Sequence, residues 1–255
     1  MFGFFRTMLA LWVMIFHLVG VPVIGTYAVF TFFVLSGFLM TTIMHESYGY
    51  DLSGIKRYAV NRFLRLYPMY WAMAIFSIIS IIVVSKEYSI SYKKILYIPE
   101  SISDVIFNST MIFPALFPYS IGPRLSPPTW ALTIEIFFYI CIAFGISKTK
   151  KNTVIWVLMS IIYFIISYIV ELGGSHRYAS IFAASLPFSF GALLFFFKVE
   201  VFNIIEKLRI SSPIVIMLIY IINSAIFTLN AQYPLLSFSG YIKEIGIYLN
   251  ILLSI

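Results

Sequence analysis

The residues best equipped for chemistry sit where an apolar chain should not carry them. In the stretch RTMLALWVMIFH, Arg6 and His17 bracket ten residues that are nearly all apolar. At about 100° per residue, eleven positions make three turns plus about 20°, so a helix would carry both on one face. The rise between them is about 16 Å. A guanidinium holds phosphate or carboxylate well, and an imidazole can move a proton or carry an acyl group. The plainer roles are a snorkelling anchor for Arg6 and a packed, hydrogen-bonded ring for His17.

Three further places carry similar tension. Glu135 follows Trp130 by five residues in SPPTWALTIEIFFYI. Trp130 reads as an outer-interface anchor, which puts Glu135 about 7 Å below the outer surface, at a depth comparable with His17. A carboxylate there could fix the tautomer of a histidine and stabilise its protonated form. Alternatively it bonds a neighbouring helix for structure. In KRYAVNRFLRLYPMYW, Arg62 and Arg65 are three apart and share a face of a short helix that Pro68 ends or bends. With Lys56 and Arg57 they form either a phosphate clamp or ordinary inner-side anchoring. In FFVLSGFLM, Ser36 and Gly37 suit close helix packing, with direct chemistry at Ser36 as the alternative. Trp130 and Ser36 complete the candidate substrate contacts. No metal site is expected.

These residues need helices to position them. Of 255 residues, 61% are hydrophobic and 11% charged, against about 25% charged in soluble domains. With a mean hydropathy of +0.98, the expectation is an all-α, multi-spanning transmembrane bundle. Eight apolar segments approach spanning length: 7–22, 24–44, 67–85, 130–147, 153–171, 179–197, 211–229 and 238–255. The seventh starts at Ser211-Ser212-Pro213, a helix-start pattern. No repeat or soluble domain interrupts them, so residues 1–255 read as one membrane domain.

The net charge of +7 reflects loops rather than nucleic-acid binding. Lys and Arg concentrate at 56–65, 148–151 and 198–209. Lys86, Lys93, Lys94, Arg124 and Arg177 lie in the alternate loops. The bias puts the N-terminus in the cytoplasm. The long loop 86–129 is proline-rich and would lie on the outer surface, partly dipping back, as a connector or as an acceptor-binding lid. The first apolar segment lacks a cleavage site and reads as a retained helix. Cys141, the one cysteine, cannot form an intrachain disulfide.

Taken in order, these segments resemble the acyltransferase 3 family of multi-pass membrane acyltransferases. RTMLALWVMIFH resembles the family's first-helix pattern of a basic residue, ten residues, then His. FFVLSGF resembles its second-helix motif, NRFLRLYP its Arg-x-x-Arg motif, TWALTIEIFFY its Trp-Ser-Leu-Ser-Val-Glu block and LPFSFGALLF a weaker later motif. The likeness covers about residues 4–200. It departs in Phe4-Phe5, where the family has an Asp, in Ala131 for Ser, and in Ile136 for a second acid. The family has about ten helices, so the chain reads as short at its C-terminal end, with no fused C-terminal domain.

The resemblance implies transfer of an acyl group, usually acetyl, from cytoplasmic acyl-CoA to a sugar of a surface polysaccharide at the bacterial inner membrane. It assigns His17 and Arg6 to the functional basic pair, Arg62 and Arg65 to the second basic motif, and Glu135 to the acidic position. Acetyl-CoA would be a substrate, with no tightly bound cofactor. The partners would be membrane lipids and a lipid-linked or polymeric glycan. Two rivals are a transporter with Arg6, His17 and Glu135 along a polar path, and an inactive, shortened relative that only binds.

Overall fold

A computed structural model describes residues 2–21, 24–207 and 213–232. Helices α1 (Phe2–Val19) and α2 (Ile24–Ile43) lead into a π-helical turn, Met44–Tyr48, and then α3 (Leu52–Val84). Short helices α4 (Lys86–Tyr92) and α5 (Ile102–Thr110) and a 3₁₀ turn, Pro118–Ser120, precede α6 (Thr129–Ala143). Then come α7 (Lys150–Ile169), α8 (Gly174–Tyr178), α9 (Ile181–Lys207) and α10 (Pro213–Gln232). No strand occurs among the described residues.

Four helical stretches are long and apolar enough to cross a membrane: Ile24–Tyr48, Leu52–Val84, Lys150–Ile169 and Gly174–Asn203. Gly3–Val19 and Thr129–Ala143 are shorter apolar helices. The described residues are therefore those of an all-helical membrane protein, and four segments among them meet the spanning criteria, where eight were expected over the whole chain. The expected eighth segment, 238–255, lies outside the described residues, as do Ser211 and Ser212.

The molecule divides into two compact units. The first comprises the described residues of Met1–Thr42, Thr149–Met159 and Ser185–Ile255. Its core is α2, which the sequence makes apolar on every face, so it must be enclosed. Gly37 and Gly191 are the reason α2 and α9 can touch along their backbones. A Cβ on Gly37 would lie 2.1 Å from the Phe188 carbonyl oxygen, and one on Gly191 would lie 1.9 Å from that of Val34. Phe33 stacks on Phe188 beside this crossing, with ring centroids 5.1 Å apart. On α10, Tyr220 stacks on Trp12 at 5.4 Å and hydrogen-bonds Thr31 at 2.6 Å. That bond pairs two buried hydroxyls that would otherwise be stranded.

The second unit comprises Ile43–Lys148 and Ser160–Ala184. Its spine is α3, 33 residues and about 50 Å long. Pro68 does not end the helix, and α3 runs through it. Proline removes one donor, so the Leu64 carbonyl loses its partner, but Leu64 is exposed. The segment that follows α3 packs back along it. The hydroxyls of Tyr67 and Tyr70 donate to the carbonyls of Thr110 and Asn108, at 2.7 and 2.6 Å, and the Trp71 indole donates to that of Ser109 at 2.9 Å. Three aromatic donors thus satisfy the carbonyls that end α5, which have no partners in their own helix. Trp71 lies thirteen residues from the end of α3, so the segment returns about 20 Å. At the other end of α5, Ser101 and Asp104 form a capping box.

Candidate active site

Within the first unit, Arg6 and His17 both lie on α1, an unbroken α-helix. Their spacing therefore carries the phase and rise expected of it. Both are half-buried. The His17 ring meets Phe16 edge-on at 4.9 Å. Ser36 is buried in α2, next to the Gly37 crossing, which is the packing position its small side chain suits.

The second unit holds Arg62, Arg65, Trp130 and Glu135, and it joins two of these through tyrosines. The Tyr139 hydroxyl donates to Glu135 Oε1, one turn away on α6. The Tyr139 ring meets that of Tyr58 at 6.4 Å. Arg62 lies over the Tyr58 ring, 5.9 Å from its centroid. Tyr58 is 2% exposed, its hydroxyl has no hydrogen-bond partner, and its charged neighbours are Arg62 and Glu135. A buried hydroxyl between a guanidinium and a carboxylate can pass a proton or accept a substrate's hydrogen bond.

The Tyr58–Tyr139 contact links α3 to α6, and Leu132 and Ile136 pack against the cluster of Tyr70, Ala74, Ile81, Met111 and Leu125. Arg62, one turn after Tyr58, and Glu135, one turn before Tyr139, are both charged neighbours of Tyr58. The half-buried ring of Trp130 packs edge-on against Tyr178 at 5.5 Å. Arg62 and Arg65 also part company: Arg62 is half-buried, and Arg65 is exposed.

Tyr58 and Tyr139 were not singled out from the sequence. The available signal was their spacing, each four residues from a charged partner, Arg62 or Glu135, which puts both members on one helix face. The π-helical turn adds His45, whose Nε2 lies 3.0 Å from the Ser147 carbonyl oxygen. Among the described residues no group of three His, Cys, Asp or Glu side chains could hold a metal ion.

This is a membrane-embedded helical protein with basic, acidic and imidazole groups on its apolar helices, the class in which membrane acyl-transfer enzymes fall. The family model for the acyltransferase domain of acyltransferase 3 matches residues 2–255, and the chain belongs to that family. Comparison with curated proteins and with solved structures returned no match.

Proposed function

We propose that this acyltransferase moves an acyl group, acetyl by preference, from cytoplasmic acyl-CoA to a hydroxyl of a surface-polysaccharide sugar. The setting is the bacterial cytoplasmic membrane, with the N-terminus inside. The observation that carries the reading is the pairing of Arg6 and His17 on one face of α1, in a chain matched to the family along its length. The acceptor hydroxyl attacks the thioester carbonyl, its proton passes to His17, and the CoA thiolate leaves and takes up a proton. In the covalent variant, His17 first takes the acyl group and then yields it to the acceptor.

Arg6, Arg62 and Arg65 supply cations for the phosphates of the donor. Glu135, held by the Tyr139 hydroxyl, is an acid beside Tyr58 and Arg62, suited to relay a proton there. Ser36 and Trp130 are substrate contacts in this reading. The test uses purified protein in lipid discs, with labelled acetyl-CoA and a glycan acceptor. His17→Ala should lower transfer by at least about a hundredfold, the scale of a lost general base. Transfer at the wild-type rate removes His17 from the mechanism.

A further inference from the structure

The returning segment between α3 and α6 holds a cation in an unusual setting. Arg124 is 4% exposed. Its guanidinium has five donors, and the one hydrogen bond it makes runs from Nη1 to the Pro118 carbonyl at 2.9 Å. Nε is buried without a partner. No carboxylate pairs with Arg124 among the described residues. The carboxylates of the segment are engaged elsewhere: Glu100 with Lys86, Asp104 with the Ser101 backbone, and Glu87 with the Ser85 side chain.

The neighbouring cation makes the setting more costly still. Lys93 is half-buried, and its electrostatic neighbour is Arg124. Burial, and then the adjacent guanidinium, hold its ammonium below the usual lysine range. Burial pushes Arg124 down to about 10. A guanidinium as buried as that of Arg124 is expensive unless an anion joins it.

The backbone around Arg124 is pinned in three places. Asn108 Nδ2 donates to the Pro123 carbonyl at 2.8 Å, and its Oδ1 accepts from Leu125 N at 2.9 Å. Between them, Arg124 N donates to the Ile95 carbonyl at 2.8 Å. The backbone that carries the guanidinium is therefore fixed, and Nη1 is tied to the Pro118 carbonyl. A rigid, buried, uncompensated guanidinium with a second cation beside it is a preorganised receptor for an oxyanion.

We propose that Arg124 and Lys93 form an oxyanion-binding site that takes a phosphate or carboxylate group. Calling its ligand a substrate rests on the acyltransferase reading; the site itself does not. The same chemistry is offered by a pyrophosphate, as in acyl-CoA or a lipid-linked glycan, and by the carboxylate of an acidic sugar.

The experiment is equilibrium binding to the purified full chain in detergent, without acyl donor. Inorganic pyrophosphate and glucuronate are the two probes. Saturable binding of either supports the site, and the tighter probe identifies which source it fits. Arg124→Lys keeps the charge but loses the fork, and should weaken binding about tenfold. Lys93→Gln, at a half-exposed position, should weaken it several-fold and guards against misfolding of the first variant. No saturable binding by the wild type, or wild-type binding by both folded variants, overturns the proposal. Because no acyl transfer is measured, an inactive His17→Ala protein leaves this result unaffected.

Discussion

Asn108 holds together the backbone on both sides of Arg124 with one side chain. It donates twice, to Asp104 and Pro123, and accepts once from Leu125. Being 4% exposed, it offers no water as a substitute for any of these partners. Asn108→Ala should cost about 3 kcal/mol through the backbone groups left unpaired. The check is thermal unfolding of the purified protein; an unchanged midpoint would show that water replaces the amide. In the sequence, Asn108 sat unremarked in a polar stretch, and Arg124 counted simply as one positive charge of a loop. Their importance comes from partners fifteen or more residues away, Pro123 for Asn108 and Ile95 for Arg124, and local pattern carries no trace of such pairings. Arg6 and His17 were legible because both belong to one helix, where spacing alone fixes facing.

Helices were easier to read than what lies between them. The apolar runs predicted 7–22 and 24–44, and α1 and α2 fall at Phe2–Val19 and Ile24–Ile43, because burial in lipid demands length and apolarity that composition displays. Pro68 does not end α3, and whether a proline ends a helix depends on whether the freed carbonyl finds another partner, which the sequence does not state. The returning segment was read as a proline-rich loop that dips. Its latch could not be read, because it consists of three α3 side chains reaching backbone carbonyls some forty residues away. The crossing of α2 and α9 was half visible. Ser36-Gly37 suggested close packing, but Gly191 showed no sign of being its counterpart. Gly191→Leu should prevent α9 from approaching α2, since even a Cβ would meet the Val34 carbonyl at 1.9 Å. The expected loss is about 3 kcal/mol or more, seen as aggregated protein in size-exclusion chromatography. A monodisperse Gly191→Leu protein with wild-type melting would show that the helices can part without cost.

At the scale of the whole molecule, α3 carries a built-in measure of membrane thickness. Its leading half holds Lys56, Arg57, Arg62 and Arg65, while residues 66–84 contain no Lys, Arg, Asp or Glu. Those nineteen residues rise about 28 Å, close to the hydrocarbon depth of about 30 Å in a typical bilayer. Met69, Met73, Phe76, Ile79, Ile82 and Val83 along this half are exposed, as lipid-facing residues should be. With residues 66–84 in the hydrocarbon, the exposed Arg65 would mark its boundary, and Arg62 would lie one turn beyond it. A bilayer about 4 Å thicker would draw the guanidinium of Arg65 towards the acyl chains or force α3 to tilt, at about 1–2 kcal/mol. Transfer rates in vesicles of graded acyl-chain length should therefore pass through a maximum, and a flat profile would show that α3 does not register the membrane. An enzyme tuned in this way would work best in the membrane whose thickness its third helix matches, so lipid composition itself would set its rate.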